Sequence, residues 1–99
     1  MVVVVFRSRS REGVDAEMEA VGARMYELAT AMPGFIGYKD FVAEDGENLA
    51  LVEFDTLDHL TAWRNHPEHR QAQEQGKATF FREYHIQVCT TVRDYAFSD

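Results

Sequence analysis

Two segments of this chain predict strands that are apolar on both of their faces, and that constrains the fold more than any other feature. In the run Val2 to Arg9, Val2, Val4 and Phe6 point one way while Val3 and Val5 point the other. Between Asn48 and Phe54, Leu49 and Leu51 oppose Ala50, Val52 and Phe54 in the same fashion. A sheet wetted on one side alternates more cleanly than this. Each medium-sized apolar side chain left in water forgoes about 1.5–3 kcal/mol, against a net stability of about 5–15 kcal/mol for a whole domain. Both faces of the sheet therefore need cover.

The remaining elements supply cover for one face only. Val14, Met18, Val21, Met25, Leu28 and Met32 are spaced 4, 3, 4, 3 and 4, one stripe of an amphipathic helix. Glu12, Asp15, Glu17 and Glu19 lie at its start, where the macrodipole favours negative charge, and Pro33-Gly34 ends it. Phe35 to Ala43 reads as a strand with Tyr38 opposing Phe35 and Phe41, joined to the next strand by the turn Glu44-Asp45-Gly46-Glu47. Asp55-Thr56 caps a helix carrying Leu57, Leu60, Thr61 and Trp63. Asn65-His66-Pro67 breaks it and starts a second piece running to about Gln75, with Gly76 as its stop. Lys77 to Glu83 adds a turn with Phe80 and Phe81, and Tyr84 to Tyr95 is a last strand alternating Ile86, Val88, Thr90 and Val92 with polar neighbours. The order β-α-β-β-α-β predicts an α+β, ferredoxin-like fold with a four-stranded antiparallel sheet and both helical segments on one face. Residues 1–99 are expected to form a single domain. The helix-free face is expected to be buried against a second subunit, sheet on sheet, in a homodimer.

Charge and cysteine usage narrow the partners. Ten Lys and Arg face seventeen Asp and Glu, a net charge of −7, which argues against nucleic acid, whose affinity comes from basic side chains displacing counterions. It argues equally against anionic membrane surfaces. The longest apolar run, Met1 to Phe6, falls far short of the roughly 20 residues of a spanning helix, and no leader is expected. Cys89 is the only cysteine, so no intrachain disulfide or four-cysteine zinc framework can form. A cytoplasmic protein is expected.

Val2-Val3-Val4-Val5-Phe6-Arg7-Ser8-Arg9, the break Met32-Pro33-Gly34-Phe35, the cap Phe54-Asp55-Thr56 and the block Ala62-Trp63-Arg64-Asn65-His66-Pro67-Glu68-His69-Arg70 resemble antibiotic biosynthesis monooxygenase (ABM) domains over essentially the whole chain. The resemblance implies a dimeric α+β barrel with a small pocket in each subunit between sheet and helices. It implies one of several activities, among them cofactor-independent oxidation of phenolic or quinol substrates and haem degradation, and the family also holds members without known activity. Haem-degrading relatives use an Asn, a Trp and a haem-ligating His where this chain has Phe6, Trp63 and Gln73, so haem is disfavoured unless His69, one turn earlier, substitutes. Polyketide-oxidising relatives place an Asn, a Trp and a Tyr where this chain has Ala50, Phe54 and Leu60.

Six residues are candidates for the site. His69 and His66, three apart, are candidate bases for a phenolic proton, because imidazole titrates near neutrality; the alternatives are a helix cap for His66 and a half-buried, satisfied ring for His69. Trp63 is a candidate stacking wall for a flat aromatic ligand, or plain core three residues after Leu60. Gln73 can hydrogen-bond a substrate oxygen or simply face solvent. Phe6 falls at a ligand-contact position of the resemblance, and Met25 belongs to a methionine stripe that forms either core or a wall for an apolar guest. No metal site is expected, since His66 and His69 lack an obvious third ligand despite Glu68 and Glu74 nearby. His59 is expected to be exposed, His85 to face the subunit interface, and Arg7, Arg9 and Arg11 to pair with the acidic hairpin. The function expected first is a cofactor-free monooxygenase of a small aromatic or quinol; the alternatives are a non-catalytic ligand-binding or stress-response module, and a haem-binding protein.

Overall fold

The computed structural model describes residues 1–99. Strand β1 spans Val2–Ser10, helix α1 Asp15–Thr30, β2 Phe35–Val42, β3 Asn48–Phe54, α2 Leu57–Arg64, α3 Pro67–Gln75 and β4 Phe81–Thr90, with one π-helical turn, Gly76–Phe80, between α3 and β4. The strands form one antiparallel sheet in the order β2-β3-β1-β4, the expected α+β, ferredoxin-like arrangement. No helix is long and apolar enough to cross a membrane.

The core lies where the even-numbered side chains of β1 and β3 meet the helices. Val2, Val52 and Phe54 pack with Ala29 of α1 and with Leu60 and Trp63 of α2. The register sets Val2 beside Phe54 and Val4 beside Val52, and Val4, Met25, Leu28, Met32, Phe35 and Tyr38 close around the cluster. Met25, Leu28 and Met32 of the predicted stripe thus pack on the core, while Val14, Met18 and Val21 are half-buried and Ala29 is the residue of α1 that is fully enclosed. On the opposite face Val3, Val5, Leu49 and Leu51 are half-buried and Phe41 is exposed, with Val5 directly across from Leu51 and Leu49 from Phe41. No helix of the chain lies over them.

Three local expectations are corrected, and a further irregularity appears in the pairing of β1 with β4. The pairing of β2 with β3 shifts between Phe35 and Gly37, so Phe35 and Tyr38 share the core face instead of opposing one another. A bulge at Ile36 inserts one residue and flips the parity. A second shift, between Arg9 and Ser10 opposite Glu83 and Phe81, sets Phe81 and Tyr84 both against Phe6. Gly76 does not stop the helix: its φ of −58° continues it into the π turn. Its role is space, since a Cβ there would meet the Phe81 ring at 2.9 Å. The last strand runs from Phe81 to Thr90 rather than to Tyr95, and beyond it Val92, Tyr95 and Phe97 are almost fully exposed.

Arg7 and Arg9 pair with the hairpin as expected, to Glu47 at 3.1 Å and Asp45 at 2.8 Å. Arg11 instead donates to the Phe81 carbonyl at 3.1 Å, holding the start of β4. At Pro33-Gly34, Gly34 has φ +80°, and a Cβ would collide with the carboxylate of Asp55 and the ring of His59, which are hydrogen-bonded to each other at 2.7 Å. The backbone N–H of Asp55 also donates to the Gly34 carbonyl at 2.8 Å. Gly46 has a similar φ, +90°, but open space around it. Gly34→Ala should therefore destabilise more than Gly46→Ala, which carries only the positive-φ cost of about 1–3 kcal/mol. Denaturation midpoints of the two variants check this; equal midpoints would contradict the packing role of Gly34.

Candidate functional site

Four of the six candidates, Trp63, His66, His69 and Gln73, lie on α2, α3 and the junction between them. Thr56 caps α2, its hydroxyl oxygen accepting the N–H of His59 at 3.2 Å. Leu60 and Trp63, one turn apart, are the buried residues of this short helix. Trp63 is only 3% exposed. The chain then turns at Asn65, and His66 caps α3: its Nδ1 accepts the backbone N–H of Glu68 at 3.2 Å, with Pro67 in the first helical turn.

His69 folds back from α3 onto Trp63. The two rings are stacked, with centroids 4.1 Å apart and planes 11° from parallel. Nδ1 of His69 lies 3.1 Å from the main-chain oxygen of Trp63. A carbonyl can only accept, so Nδ1 carries the proton and the lone pair of the neutral ring sits on Nε2. That nitrogen has no hydrogen-bond partner in the chain, yet no buried polar side-chain atom is left unsatisfied, so Nε2 reaches solvent. His66 is the reverse case. Its Nδ1 lone pair is used by the cap, leaving only an N–H to offer. Of the two histidines, His69 alone is set up to accept a proton.

Electrostatics act in the same direction. Burial pushes the pKa of His69 down, outweighing the Trp63 carbonyl that favours the charged ring, and the nearby Arg64 guanidinium lowers it further. The surroundings therefore favour the uncharged imidazole.

The other candidates are more dispersed. Gln73 is half-buried and its Nε2 donates back to the Arg64 carbonyl at 3.4 Å, leaving its oxygen open. Met25 packs against the core cluster that contains Trp63. Phe6 lies in a separate aromatic group, 5.4 Å from Phe81 and 5.6 Å from Tyr84 between ring centroids. The register continues this surface on the helix side of β4 through Ile86 and Val88, paired with Phe6 and Val4, and Tyr84, Ile86 and Val88 are all exposed. The result is an open apolar trough rather than a closed pocket. A recess of about 430 Å³ at the β1–α1 end, by contrast, is lined by polar and glycine residues, Arg9, Arg11 and Asp45 among them, and suits water more than a flat apolar guest.

Two features lay beyond the sequence reading. Phe81 and Tyr84 share a face only because of the β4 bulge, although the alternation of Tyr84, Ile86 and Val88 was a usable signal. Arg24 of α1 grips Glu68 of α3 through two bonds of 3.0 Å and also holds Glu27 at 2.9 Å; pairing with Arg24 keeps the Glu68 carboxyl below its ordinary range. No sequence signal links residues 24 and 68. This clamp matters because α3 has no buried residue of its own. No three His, Cys, Asp or Glu side chains converge as a metal-ligand set. His85 lies on the helix-free face beside Arg7.

The depressed pKa of His69 fixes a pH dependence. In the unfolded chain its imidazole titrates near about 6.5, and in the native state lower. Between those two values the unfolded state binds more protons, so the stability from this group is complete above about 6.5 and declines as pH falls towards the native pKa. Titration by NMR should place the His69 midpoint below about 6.5, and His69→Phe should remove that part of the acid-side loss of stability. A midpoint above about 6.5 would contradict the assignment.

Comparison with known proteins places these features in a context. The family model "Antibiotic biosynthesis monooxygenase" matches residues 1–75. The uncharacterized protein YqjZ of Bacillus subtilis (strain 168) is 30% identical over 96 residues, covering 97% of this chain and 83% of its own. The fold is similar to that of Rv0793 from Mycobacterium tuberculosis, with a TM-score of 0.84 at 19% identity, covering 96% of this chain and 98% of that one. It is similar also to SnoaB, a cofactor-independent oxygenase from Streptomyces nogalater, with a TM-score of 0.78 at 19% identity and 94% of each chain covered.

Proposed function

This chain belongs to the antibiotic biosynthesis monooxygenase family, and on that premise we propose that it is a cofactor-independent monooxygenase acting on a small, electron-rich aromatic of the quinol type. The observation that carries the reading is the geometry of His69: Nδ1 donates to the Trp63 carbonyl at 3.1 Å and the free lone pair lies on an accessible Nε2, while burial favours the uncharged ring. A general base needs that lone pair and a pKa near or below working pH. The description of SnoaB as a cofactor-independent oxygenase supports the same chemistry.

In this scheme Nε2 removes a phenolic or enolic proton and the substrate anion reduces O₂. One oxygen atom ends in the product and the other leaves as water, with all the reducing electrons coming from the substrate. The protein supplies binding and proton transfer. Phe6, Phe81 and Tyr84 with Ile86 and Val88 offer aromatic and aliphatic surface to a flat ring, and Met25 packs in the core on the same side of the sheet. The open amide oxygen of Gln73 orients a hydroxyl group of the substrate. His66, with its lone pair engaged in the cap, supports the backbone at the site.

The working form in this reading is a homodimer of single 1–99 domains, closed through the helix-free sheet face. Val3, Val5, Leu49, Leu51 and Phe41 form one continuous apolar patch there, rimmed by Arg7, Lys39 and Glu53. A second copy presents the same patch about a two-fold axis and covers it on both sides at once. The chain's single cysteine, Cys89, lies free on that face, in keeping with a reducing, cytoplasmic setting.

Oxygen consumption with a panel of hydroquinones and hydroxylated polyaromatics tests the assignment. His69→Ala should lower turnover by about 10²–10⁴-fold, the usual weight of a positioned base. His66→Ala should leave most turnover while costing about 0.5–2 kcal/mol of stability as a lost cap. Uptake unchanged by His69→Ala would contradict the base. Tight ligand retention without turnover would mark a binding module instead.

A further inference from the structure

The stacking of His69 on Trp63 assigns Trp63 a task other than contact with substrate. We propose that Trp63 is the positioning residue of the site: its indole face and its main-chain oxygen together hold the His69 imidazole in one orientation and one tautomer, presenting Nε2 outward. The proposal rests on the reading of His69 as base and names what orients that base.

Three observations carry it. The ring-to-ring geometry, 4.1 Å and 11°, takes up the indole face that a flat ligand would need, and Trp63 is otherwise sealed among Val2, Val52, Phe54 and Leu60. Its own ring is therefore fixed by core packing and makes a rigid support. Nothing else on α3 plays that part, since the helix has no buried residue and its clamp to α1, Arg24–Glu68, lies at an exposed position one residue away. Finally, no carboxylate pairs with His69. The charged and titratable groups around it are Arg64 and His66 at the helix junction and Glu68, already held by Arg24.

In most base–orienter pairs a carboxylate performs this service, and it raises the basicity of the imidazole while aiming it. A neutral carbonyl and an indole aim the ring without adding a negative charge. The site then has a base that is fixed in direction without a neighbouring charge that would favour its protonated form. Substrate meets Nε2, while the indole behind the imidazole is hidden from it.

The test uses Trp63→Phe and Trp63→Leu, both of which keep the main-chain oxygen. Long-range ¹H–¹⁵N spectra of the His69 ring report tautomer and titration midpoint without any need for activity. The wild-type protein should show the Nδ1–H tautomer, Trp63→Phe should retain it, and Trp63→Leu should give a mixture of tautomers. In oxygen uptake, Trp63→Leu should lower kcat by about ten- to a hundredfold, as a loosened catalytic group does, with KM within about twofold and the acid limb of the pH profile displaced. Trp63→Phe should rescue most of kcat. An Nε2–H tautomer in the wild type overturns the proposal even if Trp63→Leu fails to fold. So does a Trp63→Leu enzyme with raised KM and unchanged kcat, which would make Trp63 a substrate contact. If the spectra behave as stated but oxygen uptake ignores His69→Ala, the positioning of His69 stands and the oxygenase assignment falls.

Discussion

The central strands β1 and β3 must be sheltered on two sides, and the chain shelters one. Val2, Val4, Val52 and Phe54 lie under α1 and α2, while Val3, Val5, Leu49 and Leu51 on the same two strands have no helix over them. That division fixes much of the rest. It commits α1 to β2 and α2 to β3, so the helix side of β4, with Tyr84, Ile86 and Val88, stays exposed. It also leaves the reverse face without cover from the chain's own helices, the face through which the proposed homodimer closes.

Within that frame, two single-residue irregularities decide which aromatic rings meet. Without the bulge at Ile36, Tyr38 would point away from the core; with it, Tyr38 packs beside Phe35, and its burial, helped by the charge of Asp40, pushes the phenol up to about 12. The irregularity opposite Arg9 does the same for Phe81 and Tyr84 around Phe6. Gly76 completes that arrangement by leaving room for the Phe81 ring.

This explains how far the sequence could be read. The element order, the α1 stripe, the hairpin and both helix caps follow from periodicity and turn chemistry, which act over a few residues. Strand parity across a bulge does not, because one inserted residue reverses every inference beyond it. The histidines show the same split. That His66 could cap α3 was legible from its place before Pro67, and a half-buried, satisfied ring was one of the two readings open for His69. Which nitrogen each ring commits was not, since that depends on the angle at which α3 returns to α2. The Arg24–Glu68 clamp joins elements far apart in sequence and had no local trace.

The requirement for outside cover on the helix-free face is tested most directly by sedimentation equilibrium at micromolar concentration, on the native chain and on a Val5→Asp, Leu51→Asp variant. The account predicts twice the chain mass for the native protein and a single-chain mass for the variant. A native chain that sediments as a folded monomer, with a cooperative unfolding transition independent of concentration, would contradict it.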